Sequence, residues 1–362
     1  QKAEAIVEKA HGSLTEAFKE IDKITEFNQK KVLDSFYKNK IGEEHFYTVT
    51  GYGHDDIGRE ALDNVYKDVF KTEAAIVRPH FVSGSHTIAC ALFGVLRHND
   101  RLVSIAGEPY DPMQQVIGSR EGCNDFDTSL MGRGVKYSEV PLKSYNNDLK
   151  VDFENIEKYL LPDTKMVLIQ RSRGYSLRNP LNIDDIEKII KIVKVKNPDI
   201  CCFVDNCYGE FMDTIEPVEV GADLIVGSLI KILGGGIAPN GAYIAGRKDL
   251  VELAGERLTL PGEGREVGPT LGINKSILQG LYLAPSVVAS SLKVAILTSK
   301  VMESFGYEVE PKYNEERVDI VQNIVFKDKD KLIKYVQGIQ KNSPIDSHVL
   351  YVPSPMPGYS DE

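Results

Sequence analysis

Between residues 74 and 246 the chain alternates apolar, strand-like runs with helical stretches, and this alternation constrains the fold more than any other feature. The runs are 74–82 (AAIVRPHFV), 101–107 (RLVSIAG), 136–142 (KYSEVPL), 165–172 (KMVLIQRS), 201–207 (CCFVDNC), 223–231 (DLIVGSLIK) and 241–246 (GAYIAG). Several are almost continuously apolar, as strands covered on both faces are. The clearest helix between them spans 182–196. Asn182 is its N-cap, Asp184 and Asp185 lie in its first turn, Ile183, Ile186, Ile190 and Val193 form its apolar face, and Asn197–Pro198 ends it. This pattern predicts an α/β domain whose mainly parallel sheet is flanked by helices.

The flanking regions read differently. Residues 3–38 carry apolar positions at helical spacing, including Ile6, Phe18, Ile21, Val32 and Phe36. A Gly- and Asp-punctuated loop follows at 45–60, then helices over about 59–70 and 85–97. Beyond Pro261 we expect a helix from Pro285 to Phe305 ended by Gly306. Strand-like YEVEP and DIVQNIVF, a helix near 329–341 and strand-like HVLYVP complete the pattern. The expected organisation is an N-terminal helical segment and subunit-contact loop (1–58), a large α/β domain (59–260) and a smaller α+β domain (261–362). The final PSPMPGYSDE adds no closing helix or strand, so the small domain is expected to be incomplete at its C-terminus.

A net charge of −10 over 362 residues argues against nucleic acid as a partner, since little would replace the counterions on phosphates. The five cysteines, Cys90, Cys123, Cys201, Cys202 and Cys207, have neither disulfide-like nor zinc-like spacing. They read as buried free thiols, which fits a reducing cytoplasm. We find neither a signal-peptide pattern nor an apolar run approaching a membrane span, so no membrane partner is expected.

Ligands of such sheets bind outside the carboxyl ends of the strands. Three of those ends carry unusual residues. Asp205 ends one strand, and a carboxylate there needs a cationic partner or several donors. Lys231 ends the next and is followed by Gly234, Gly235 and Gly236. The third is SGSHT at 83–87, where small residues open a helix whose free N–H groups suit a phosphate. Together they suit pyridoxal 5'-phosphate, which needs a lysine for its Schiff base and an acid opposite its ring nitrogen. Lys231 would supply the first and Asp205 the second. Gly84, Ser85 and His86 would take the phosphate, and the glycines after Lys231 would let backbone pass close to the cofactor. As a base Lys231 must be neutral, and desolvation acts in that direction. Each piece alone has an ordinary reading as a cap or turn; their joint placement on a parallel pattern favours the cofactor. His54, Asp55 and Asp56 are adjacent loop residues that do not converge as metal ligands would, and we expect a solvated loop or subunit contact there. GRG at 132–134 is too short for a dinucleotide fingerprint, and Cys207 reads as packing.

The segments TGYGHDDIGRE, VDNCYGEF, GSLIKILGGGIAPNGAYIAG, RLTLPGEGREVG, LQGLYLAP and MPGYSDE resemble the aluminium-resistance or methionine gamma-lyase-like family. That family belongs to the fold-type-I pyridoxal-phosphate enzymes of cysteine and methionine metabolism and is related to cystathionine beta-lyase. The resemblance implies a large cofactor-binding domain plus a smaller one, with Lys231 as the Schiff-base lysine and Asp205 as the ring-nitrogen partner. It makes Ser228 a phosphate-binding hydroxyl and Tyr110 the aromatic that stacks on the ring and moves protons. The usual threonine before the lysine is Ile230 here. Tyr52 and Arg59 resemble a pair that reaches the phosphate of a neighbouring subunit, which implies a homodimer with shared sites, paired into a homotetramer. The group's late substrate-binding arginine has no counterpart before Glu362. Arg171 and Arg173 are the candidates for that role, with Arg257 and Arg265 behind them. The implied activity is carbon–sulfur lysis of a small sulfur amino acid by β- or γ-elimination, in the cytoplasm. The residues leave open an aminotransferase, or a non-catalytic metal-tolerance protein, on the same scaffold.

Overall fold

The computed structural model describes residues 2–49, 54–120, 128–145 and 148–356. Every strand-like run between 74 and 246 forms a strand: β1 (Ala74–Arg78), β2 (Arg101–Ser104), β3 (Lys136–Glu139), β4 (Thr164–Gln170), β5 (Cys201–Asp205), β6 (Leu224–Ser228) and β7 (Ala242–Gly246). They make one sheet in the order β1-β7-β6-β5-β4-β2-β3. All pairings are parallel except those of β7, which runs antiparallel to both β1 and β6. Six of the seven runs continue past their strand into the loop at its carboxyl end.

Both faces of the sheet are covered, and the side chains of each strand divide between two cores with the period of two that a pleated strand imposes. Cys202, Val204 and Ile225 join one core; Cys201, Phe203, Leu224 and Val226 join the other. That second face carries α4 (Gly84–Val95) packed against α7 (Lys248–Leu258). The first carries α2 (Thr15–Lys38), α3 (Ile57–Val69) and the long α8 (Asn274–Ser304). The N-terminal helical region is two helices, α1 (Lys2–Gly12) and α2, divided at Gly12–Leu14. Two shorter elements used below are α5 (Asp111–Ile117) and α6 (Ile183–Lys196); Asn182 caps α6 in a capping box with Asp185.

Three sequence expectations fail in the last third. The helix expected to begin at Pro285 begins eleven residues earlier, at Asn274, with Pro285 in its interior. Proline removes one helical hydrogen bond, but Ile277, Leu278 and Leu281 are buried and hold the extra turns in the core. By length and composition α8 could cross a membrane, although no such run was expected; half of its apolar window is buried inside the protein. HVLYVP forms no strand, and Leu350 and Val352 are both 68% exposed. After α8 come β8 (Glu308–Glu310), paired antiparallel with β9 (Asn323–Val325), and α9 (Lys329–Lys341).

Candidate active site

Asp205 and Ser228 lie in phase with Phe203 and Val226, so both face the core that holds α4. Since β5 and β6 are parallel neighbours, with Asp205 opposite Val226, the two residues reach the same edge of the sheet side by side. The N-terminus of α4 meets them there. A Cβ built on Gly84 would stand 3.2 Å from the Ser228 Cβ and 3.8 Å from the Cys207 sulfur, so a larger residue here would have to push the Ser228 side chain back by a few tenths of an ångström. Ser85 Oγ and the Tyr110 hydroxyl are 2.9 Å apart, and the Tyr110 amide donates to the Gln170 side chain at the end of β4. The carboxyl ends of β4, β5 and β6 thereby converge with the openings of α4 and α5.

Lys231 follows β6 and is partly buried, with its Nζ 4.1 Å from the centroid of the Tyr208 ring. Burial pulls the ammonium down, but Cys207, Asp205, Tyr208 and Tyr110 outweigh it and leave the pKa above the ordinary lysine value. The expectation that desolvation would decide the sign is therefore corrected. Burial and then Asp205 push both the Cys207 thiol and the Tyr110 phenol up. Both stay protonated at neutral pH, which leaves the Asp205 carboxylate and the Tyr208 ring face as the attraction on Lys231.

The Ser228 hydroxyl is 1% exposed and has no hydrogen-bond partner among the described residues. A buried hydroxyl left unpaired costs about 1–3 kcal/mol, so its presence beside a helix N-terminus calls for an acceptor. A phosphate there meets it and the N–H groups opening α4. Lys231 and Asp205 nearby provide the amine and the acid that pyridoxal phosphate requires. The residues present fit that group.

Several expectations about single residues change. The His86 amide donates to the Ser83 hydroxyl that caps α4, and its ring accepts from the Val82 amide. Burial, then Arg257, lowers its pKa; through these two bonds His86 shapes the turn. Arg59 is 1% exposed, and its guanidinium donates to the carbonyls of His54, Glu266 and Gly268. Within this chain it anchors the 266–268 loop. Tyr52 lies outside the described residues. Arg171 Nη1 donates to Asn206 Oδ1 and the Gly209 carbonyl at 2.8 and 2.7 Å and so locks the turn after β5, while its buried Nε has no hydrogen-bond partner among the described residues. Arg173, 2% exposed, pairs with Glu310 of β8 at 3.0 Å. Arg257 lies over the Phe93 ring and Arg265 donates to the Ala75 carbonyl. Asp56, expected on a solvated loop, is fully buried; it caps α3 and accepts from Thr270 and Asn274. Two of the three glycines after Lys231 are fixed by packing. A Cβ on Gly235, at φ +61°, would lie 2.3 Å from the Gly280 carbonyl oxygen of α8, and one on Gly234 would strike the Leu229 carbonyl.

Two site neighbours gave no sequence signal of their own. Tyr208 adopts φ +69°, and Glu210, 1% exposed, accepts from the Tyr243 hydroxyl. Burial, reinforced by Glu216, pushes the Glu210 carboxyl up to about 8. Both belong to VDNCYGEF, where only Asp205 and Cys207 advertise chemistry.

A lysine and an aspartate at adjacent strand ends, in a sheet of this order, define the fold-type-I class of pyridoxal-phosphate-dependent enzymes. The pyridoxal-phosphate-dependent protein YhfS of Escherichia coli shares the fold, with a TM-score of 0.62 at 16% identity over 89% of this chain and 81% of its own. Within that class, the chain belongs to the methionine gamma-lyase family, whose model matches residues 3–362. A carbon-sulfur lyase involved in aluminum resistance from Clostridium novyi NT is 51% identical, with a TM-score of 0.93, over 98% of this chain and 83% of its own. A candidate cystathionine beta-lyase involved in aluminum resistance from Listeria monocytogenes is 47% identical, with a TM-score of 0.94, over 99% of this chain and 87% of its own. The uncharacterized protein YnbB of Bacillus subtilis is 44% identical over 95% of this chain and 80% of its own.

Proposed function

We propose that the protein is a pyridoxal-phosphate-dependent carbon–sulfur lyase acting on a sulfur amino acid of the cystathionine, methionine or cysteine type. The observation that carries this reading is the orphan Ser228 hydroxyl, buried beside the opening of α4 on the sheet edge that Asp205 and Lys231 share. When bound, the cofactor supplies an aldehyde that bonds an amino group and a ring that takes up the electrons left on Cα. Lys231 Nζ would hold the aldehyde carbon, and the Asp205 carboxylate would keep the ring nitrogen protonated. Ser228 and the amides of Gly84 and Ser85 would bind the phosphate.

In its neutral form, Lys231 Nζ would take the Cα proton. Tyr110, kept protonated by burial and positioned by Ser85, has a proton to give to the departing thiolate. The similarity to the Clostridium novyi lyase supports elimination as the outcome. Shared sites in a homodimer, paired as a tetramer, and a cytoplasmic setting belong to the same proposal.

The test mixes purified protein separately with cystathionine, methionine and cysteine. Keto acid and thiol are assayed while the visible spectrum is recorded. At least one substrate should yield both products, and Lys231→Ala should yield neither. Undiminished products from Lys231→Ala would refute the assignment. A keto acid without thiol, with the cofactor left carrying the amino group, would mean an aminotransferase instead.

A further inference from the structure

The turn after β5 contains a feature that the proposed reaction has not used. Tyr208 has φ +69°, a conformation that costs a bulky L-residue about 1–2 kcal/mol. The turn is tied from several sides. The Cys207 amide donates to Asp205 Oδ1, the Gly209 amide donates to the Asn206 carbonyl, and Arg171 clamps both Asn206 and Gly209. A Cβ on Gly209 would come within 2.4 Å of Arg171 Cδ, so the clamp and the glycine fit only each other. What this constrained backbone presents is an aromatic face, with Lys231 Nζ 4.1 Å from its centroid. A cation over a partly desolvated ring is held by the ring quadrupole.

We propose that the Tyr208 ring face is the seat of Lys231 in its charged, unbonded form, and that Tyr208 is a positioning residue for that amine. The inference rests on Lys231 being the cofactor-bonding lysine. A lysine displaced by substrate and carrying the proton from Cα is an ammonium. It then needs a place near the reacting carbon that does not consume a hydrogen-bond acceptor. The groups facing it are Asp205, Cys207 and Tyr208 on the turn, Tyr110 before α5, and Glu210 one step further along. Cys207 and Tyr110 are held neutral by burial, and Glu210 is pushed up to about 8, so Asp205 and the ring face carry the attraction at neutral pH. Asp205 would also be engaged by the cofactor's ring nitrogen, which leaves Tyr208 as the seat that persists through a turnover.

The test measures how fast the cofactor-free full chain takes up pyridoxal phosphate as a function of pH. Borohydride trapping and peptide mass mapping show that the label is on Lys231. Only the neutral amine attacks an aldehyde, so the midpoint of the rate profile follows the charge on Lys231. Tyr208→Phe keeps the ring and should overlay the wild-type profile. Tyr208→Leu, and Tyr208→Asn as a ringless variant that tolerates the left-handed backbone, should shift the midpoint about one pH unit lower. Uptake below the midpoint would then be roughly tenfold faster. Coincident Leu, Asn and wild-type profiles with Lys231 labelled would overturn the seat, and so would a Phe shift as large as the Leu shift. An unlabelled Lys231 in the wild type would overturn the underlying reading, a result distinct from either of these.

Discussion

Replacing Ser228 by alanine should move two measurements in opposite directions. In the polypeptide alone the Ser228 hydroxyl is buried and unpaired, so deleting it removes a desolvated polar group and no hydrogen bond. The packing contact at Gly84 involves the Ser228 Cβ, which alanine keeps. Relief of an unpaired hydroxyl is worth roughly 1–2 kcal/mol, or an increase in Tm of about 1–3 °C for a chain of this size. With cofactor bound the sign reverses. A hydroxyl donating to a phosphate oxygen makes a charge-assisted hydrogen bond of about 1.5–3 kcal/mol. Its loss should raise the cofactor Kd about 10- to 100-fold. Calorimetric melting of unloaded protein and fluorescence titration with pyridoxal phosphate measure the two quantities. A destabilised unloaded protein that binds cofactor with unchanged affinity would refute the reasoning, because it would mean that Ser228 has a structural partner and no part in phosphate binding.

Two further outcomes follow from the geometry around Lys231. Gly235→Ala should lower stability by about 2–4 kcal/mol in chemical denaturation, because it adds a left-handed alanine and a Cβ against the Gly280 carbonyl of α8. Glu210 gives a pH dependence. Its carboxyl is pushed up to about 8 in the folded chain from an ordinary value of 4.5, so the folded state holds that proton more tightly than the unfolded one. Its contribution is complete below about pH 4.5 and is lost as pH rises toward and through 8. Glu210→Gln should flatten the decline in denaturation free energy over that window; a decline as steep as the wild type's would place the titration elsewhere.

The sheet was legible in the sequence because strands buried on both faces show as apolar runs, and every such run from 74 to 246 became a strand. Asp205 and Lys231 were legible because ionisable residues at the ends of apolar strands are rare. The roles of the arginines were not. Arg59, Arg171 and Arg173 differ in function only through what their guanidinium groups touch, and those contacts come from loops and strands remote in sequence, such as 266–268 and 308–310. One constraint on the glycine run after Lys231 was hidden for a similar reason: Gly235 packs against the backbone of Gly280 in α8. Pro285 imitated a helix start, since local propensity gives no measure of how much apolar surface lies upstream. Tyr208 carried no signal at all, because a left-handed tyrosine is imposed by the ties around it.

The account depends on one covalent contact, and the most direct measurement is to find its address. The full chain is incubated with pyridoxal phosphate, reduced with borohydride, digested and mapped by mass spectrometry. With one equivalent of cofactor, the account predicts Lys231 as the dominant modified site in the native protein, and no preference for Lys231 over the other lysines once the chain is unfolded before the cofactor is added. Label spread over surface lysines with Lys231 untouched in the native protein would contradict it.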